Sequence, residues 1–257
     1  MSHRRYGTRP DLPDHRDSWW TPPKGRLTTL PPQVDLRRHC PPIYNQGLLN
    51  SCSAHALGAA LWFEGLKRDL KPALRPSRLF LYYNERSIER DPRCNVPVCL
   101  RDGHKALKRF GVCKESQWRY VIGKFSIRPP EKCFQAAAAV QLTEYARVKR
   151  DLQHLKACLA SGCPFTMGMS VYESFESSRV KRTGIVPMPK PDERLLGGHA
   201  VLVVGYREDN QSFIVRNSWG AKWGRGGYCF MPYDYLMSRK HYAWDFWTIL
   251  ELAAVLR

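Results

Sequence analysis

The segment "IRPPEKC" (residues 127–133) divides the chain into two stretches that follow different rules. Ahead of it the pattern is helical. One helix is expected from Ser51 to about Lys67 with Asn50 or Ser51 as N-cap, another over residues 77–90 behind Pro76, and a third over 103–110, stopped by Gly111. Beyond it one helix at 151–161 gives way to short apolar runs, "PFTMGMSV", "HAVLVVGYR", "SFIVRNSW" and "GYCFMPY", which read as strands. Helices first and strands later predict an α+β chain in two lobes, residues 34–128 helical and 129–257 β-rich. Residues 1–33 are rich in Pro, Arg and Asp and carry Trp19-Trp20, and read as an extended arm.

With 257 residues and 43% hydrophobic content, the chain can fill a core. No run of 18 apolar residues is present, so no membrane span is expected. The N-terminus lacks the apolar segment of a secretory signal peptide, which favours the cytoplasm or export by a route that reads no such signal. The net charge of +18 makes the surface an attractor of polyanions. The basic residues are scattered, however, which fits a solvated cationic face better than a nucleic-acid or phosphate-binding stripe. Nine cysteines without any C-x-x-C or closely spaced histidine pair argue against a metal site, and no cofactor is implied. Under oxidising conditions up to four disulfides would leave one thiol over; under reducing ones most cysteines would be buried thiols.

Cys52, in "YNQGLLNSCSAHALGAAL", is open to three readings: packing residue, disulfide half or nucleophile. It stands where the first helix begins, and the partial positive charge of a helix N-terminus favours the thiolate. A nucleophile needs a base, and the base an orienting group. His199, in "GGHAVLVVGY", enters an apolar strand; a lone histidine there is more often structural. Asn217, in "RNSWGAKWGRGGY", lies beside Trp219 and Trp223. An asparagine oxygen accepting the histidine Nδ1–H would turn Nε2 toward the thiol, and indoles packed over that bond would keep water off it.

Taken in order, "NQGLLNSCSAHA", "GGHAVLVVGY" and "NSWGAKWGRGGY" resemble the papain-like cysteine peptidases, over roughly residues 34–250. His199 follows Cys52 by 147 residues, within the spacing of that family, and Asn217 by 165, a little beyond it. The resemblance implies a papain-like two-lobe fold, with an antiparallel, barrel-like second lobe and the active-site cleft between the lobes. It implies peptide or protein substrates and a Cys52–His199–Asn217 triad. Gln46 and the Cys52 backbone N–H would stabilise the oxyanion. Asp102 and Gly103, in "LRDGHKAL", would form the strip that pairs with substrate backbone, and Gly168, Gly198 and Ala200 would line a substrate pocket.

The chain departs from the family pattern at Leu49-Asn50-Ser51, where Cys-Gly-Ser is usual, and at Ser53, where an aromatic is usual. Losing that cysteine removes a common disulfide, and Asn50 adds a side chain near the cleft. The long helical propeptide of animal and plant members is replaced by the short arm, and "LPDHRD" looks more like bacterial members. The arm's tryptophans are costly to leave in water. The expectation is that they dock on the catalytic domain, the peptide groove being the most suitable place, so that the arm blocks substrate. Alternatives are a papain-like scaffold kept as a binding module for phosphate-rich ligands, and other Cys-His acyl transfer such as transglutamination.

Overall fold

The computed structural model describes residues 6–254 apart from 26, 28, 71 and 72; the first five residues of the expected arm lie outside them. The helices are α1 (Cys52–Lys67), α2 (Arg78–Ile88), α3 (Leu100–Phe110), α4 (Glu131–Ala137), α5 (Leu152–Ala160), α6 (Ser178–Thr183) and α7 (Tyr233–Met237). The strands are β1 (Thr8–Arg9), β2 (Gln33–Asp35), β3 (Val98–Cys99), β4 (Val140–Arg147), β5 (Phe165–Tyr172), β6 (Leu195–Arg207), β7 (Ser212–Arg216), β8 (Tyr228–Pro232) and β9 (Ala243–Ala254). No helix among the described residues is long and apolar enough to cross a membrane.

Local sequence explains the helix ends. Ser77 accepts a hydrogen bond from the Phe80 N–H and Asp151 one from the His154 N–H, each satisfying a donor that the first turn leaves over. Gly111 ends α3 at φ +67°, a conformation open to glycine at little cost. Ser51 is the N-cap of α1, but its hydroxyl turns to Tyr120 and His55 instead of capping. The first N–H groups of α1, where Cys52 sits, therefore lack a side-chain cap.

β4, β9, β5, β6, β7 and β8 pair antiparallel in that order, and β2 adds to β6. The long run "HAVLVVGY" is apolar throughout because both faces of β6 are covered. Val201 and Val203 face a core with Phe165, Phe213 and Leu155, while Leu202 and Val204 face the core of α1 and α2 with Leu57, Leu61 and Leu81. Helices on one side and sheet on the other give the α+β, two-lobe arrangement. The sequence reading passed over β4 and β9, whose edges carry charged and polar residues among the apolar ones ("VQLTEYAR", "AWDFWTILELAA"). Their burial comes from each other and from β5. All nine cysteines are free thiols.

The arm is extended, but its tryptophans do not lie in a groove. Trp20 is 8% exposed and joins the core beside Val148 and Phe246, its backbone N–H donating to the Arg147 carbonyl, whereas Trp19 is 62% exposed. A residue alternation of period 2 puts only one of the two indoles inward. Residues 11–17 are held by an ionic cluster. Arg101 grips Asp17 through Nε and Nη2 (2.9 and 2.7 Å). Arg147 reaches Asp17, Asp245 and Asp11 at 2.6, 2.9 and 3.1 Å, and the Trp247 indole donates to Asp11.

Candidate active site

Cys52 is the first residue of α1, and α1 packs on β6 so that Cys52, Ala56, Leu100, Ala200 and Trp247 form one buried cluster. His199 precedes Ala200 on β6. Because successive side chains on a strand face opposite ways, Ala200 meets α1 while the His199 ring turns toward β7's end, where Asn217 begins the loop. The histidine Nε2–H donates to Asn217 Oδ1 at 2.8 Å, and the Ser218 backbone N–H donates to the same oxygen at 2.8 Å. The ring is thus turned opposite to the sequence expectation, with Nε2 and not Nδ1 on the asparagine. The backbone positions of the strand and loop decide this, and spacing along the chain does not carry it.

Trp219 lies over His199 with ring centroids 4.9 Å apart. Trp223 packs edge-on against Trp219 at 5.3 Å and buttresses it. Gln46 is buried, with its amide donating to the Leu49 carbonyl at 2.9 Å and its Oε1 accepting from Ser218 Oγ at 2.6 Å. Ser218 was missed by the sequence reading. The signal for it was its place between Asn217 and Trp219, in a motif read for its neighbours alone.

The remaining expected site residues divide. Gly168 on β5 stands opposite Ala200, and the Trp244 indole occupies the space a Cβ would need, at 2.2 Å. A Cβ on Gly198 would meet the Thr8 carbonyl oxygen at 2.2 Å. Asp102 and Gly103 fall inside α3, where backbone groups are committed to the helix and Gly103 packs against Leu57 and Glu85. They cannot pair with an extended peptide. The strand that does so is Val98–Cys99 immediately upstream, which pairs in parallel with Thr8–Arg9 of the arm.

The arm crosses this site. The Gly7 carbonyl accepts from the Val98 N–H at 3.0 Å, Thr8 Oγ1 donates to the Val98 carbonyl, and Tyr6 rests on Gly197 and bonds Glu176. Burial under it pushes the Cys52 thiol up to about 11, against backbone hydrogen bonds from Ala200, Gly7 and Ser53. The other histidine nearby, His55, is occupied: burial and Arg78 lower it to about 3, and its Nδ1 contacts the Ser51 carbonyl at 2.7 Å. Among the described residues one group, Glu89, Cys99 and Asp102, brings three potential metal-ligand atoms within 4.8 Å.

Glu85 is wholly buried behind the first turn of α1 and accepts from Ser53 Oγ at 2.7 Å. Burial raises its carboxyl from 4.5 to about 8. The folded chain then holds a proton that the unfolded chain loses above about 4.5. The stability tied to this group is complete below that pH and is lost as pH rises through about 8. Glu85→Gln is expected to flatten the fall in thermal midpoint between pH 5 and 8, by an amount worth on the order of a few kcal/mol. Parallel pH profiles for the variant and wild-type chains would defeat the assignment.

Fold and site together define a two-lobe cysteine peptidase. The family model described as papain family cysteine protease matches residues 30–235, and the chain belongs to that family. It is similar to xylellain, a cysteine protease from Xylella fastidiosa, at 41% identity and a TM-score of 0.90, covering 100% of this chain and 98% of that one. An uncharacterized peptidase C1-like protein of Acanthamoeba polyphaga mimivirus is 42% identical over 216 residues, 81% of this chain and 69% of the relative. Cathepsin L of Sarcophaga peregrina is 36% identical over 217 residues, 78% of this chain and 58% of that protein.

Proposed function

We propose that this peptidase cleaves peptide bonds through a Cys52 thioester, with His199 as base and acid, Asn217 as its orienting group and Gln46 in the oxyanion hole. The observation that carries the reading is the His199 Nε2–H to Asn217 Oδ1 bond under Trp219, on the strand whose next residue, Ala200, touches Cys52. Asn217 and the indole hold the imidazole, and Nδ1 would take the thiol proton. In an open cleft, transfer of that proton gives a thiolate–imidazolium pair at the uncapped start of α1, where the helix N-terminus favours the anion. The thiolate adds to the scissile carbonyl. The oxyanion takes the Cys52 backbone N–H and the second amide proton of Gln46, the first being held by Leu49. Collapse expels the amine with the proton from His199. Water, deprotonated by His199, then hydrolyses the thioester, releasing the acid and restoring the thiol. Ser218 fixes the Gln46 amide so that its N–H2 faces the site.

The described state is read as latent. The arm backbone lies on Cys52, on Gly198 and along Val98–Cys99, where a peptide would have to lie, and the raised thiol matches a closed cleft. The binding-module alternative gains no observation of its own. The reading is tested with a peptidyl epoxide that alkylates papain-type thiols, followed by intact mass and peptide mapping. One adduct on Cys52, formed faster as the arm is loosened, is the expected result; labelling spread over the other eight cysteines with Cys52 spared would reject it.

A further inference from the structure

Arg9 of the arm, its side chain 54% exposed, reaches over to an acidic recess beside β3. Its Nη2 donates to Glu89 Oε2 at 2.7 Å, while the other oxygen, Oε1, accepts from the Cys99 backbone N–H at 3.1 Å. The Glu89 carboxylate is therefore tied to the strand that pairs with the arm, and its side chain is only 10% exposed. Asp102, from the first turn of α3, and the Cys99 thiol close the recess; the nearest competing cation, Lys105, lies 3.9 Å from Asp102 on an outer turn. Burial raises both the Glu89 and Asp102 carboxyls; Asp102 raises Glu89 further, while the hydrogen bond with Glu89 pulls Asp102 back down. Such a pair is relieved by a cation. Burial works against the Arg9 guanidinium, and Cys99, Glu89 and Asp102 outweigh it, so it is held above its usual value.

Two independent features thus meet: a pair of neighbouring carboxyls, one nearly buried and fixed in place, and a guanidinium delivered to it by a strand-paired segment. Gly7 is the arm residue at the Cys52 thiol, and Arg9, two residues on, lies opposite Cys99. Alternation along an extended chain puts the two on the same side of the strand, so a peptide lying on β3 over the thiol presents a side chain to the recess in the same way.

We infer that the Glu89–Asp102 recess is a substrate subsite selecting arginine or lysine about two residues from the scissile bond, on the β3 side of Cys52, and that Arg9 is its tethered occupant. The inference rests on the peptidase reading and on the arm standing where substrate stands. Departure of the arm leaves Glu89 with one oxygen held by β3 and the other without Arg9, so a basic side chain restores the pairing and a neutral one leaves a nearly buried carboxyl unmatched.

The test is kcat/KM of the full-length chain on a peptide set in which one position at a time is arginine, lysine, leucine or glutamate. Arginine and lysine should exceed leucine by roughly tenfold at a single position. Glu89→Gln should bring that ratio close to one and Glu89→Lys should invert it toward glutamate. The ratio is the readout because loosening Arg9 raises all rates together. Arg9→Ala, which empties the recess without altering either carboxylate, should keep the preference and raise the rate. Turnover with equal arginine and leucine values, or a ratio that Glu89→Gln and Asp102→Asn leave intact, overturns the subsite alone. No turnover of any peptide, by wild type or by a chain with a loosened arm, overturns the peptidase reading and the subsite with it.

Discussion

Replacing Cys52 by alanine is expected to abolish peptide hydrolysis and to leave the fold in place. In the proposed mechanism the thiol sulfur bonds to the acyl group, and loss of a nucleophile from a concerted set of catalytic groups costs on the order of 10⁵- to 10⁶-fold in kcat. Cys52 is fully buried among Ala56, Leu100, Ala200 and Trp247, all of which tolerate a methyl in place of a methylene thiol. The lost contacts amount to about 1 kcal/mol, which leaves a cooperative transition intact. The measurement is turnover of a fluorogenic peptide together with the thermal midpoint. A folded variant that retains turnover within tenfold of wild type would remove Cys52 from the chemistry.

Gly7→Val is expected to open the site in the full-length chain. A Cβ at position 7 would lie 2.0 Å from the Asn50 carbonyl oxygen and 2.5 Å from its carbon, and both are backbone atoms that cannot swing aside. The segment over Cys52 must lift. Overpacking of this kind costs about 1–3 kcal/mol, which shifts the closed-to-open equilibrium by roughly 5- to 150-fold. Both the alkylation rate of Cys52 and kcat/KM for small peptides should rise by that factor. The rest of the arm stays anchored by Trp20 and by Asp11 and Asp17 on Arg101 and Arg147, so stability should hardly change. Deleting residues 1–33 is a poorer comparison. It strips Trp20 from the core and takes Asp17 from Arg101 and Asp11 and Asp17 from Arg147, and partly buried charges left short of partners destabilise by several kcal/mol. Unchanged thiol reactivity in Gly7→Val would show that the arm does not gate the nucleophile.

What was legible along the chain was whatever neighbours in sequence decide. The switch of period near residue 130, the start of α1 at Cys52, the glycine stop of α3 and the buried run of β6 all depend on residues within a few positions of one another. The three motifs around Cys52, His199 and Asn217 were equally readable, because each is a short loop or strand start with its own composition. β4 and β9 were not, since their polar residues obscure the alternation and their burial is supplied by partners a hundred residues away. Asp102 and Gly103 were placed on a peptide-binding strip because a glycine near an acidic residue resembles one; the α3 helix begins three residues earlier than its apolar period announces and takes them in.

Sequence alone therefore determined the class of fold and pointed to the four residues of the proposed site, since each is announced by its local surroundings. Tertiary structure alone decided which imidazole nitrogen meets Asn217, that Ser218 holds Gln46, that Trp20 enters the core while Trp19 does not, and that Arg9 reaches Glu89. These depend on groups from 18 to 172 positions apart in the chain meeting at hydrogen-bond distance. Angles and depths of packing between α1, β3 and β6 set such meetings, and no periodicity within one segment encodes them.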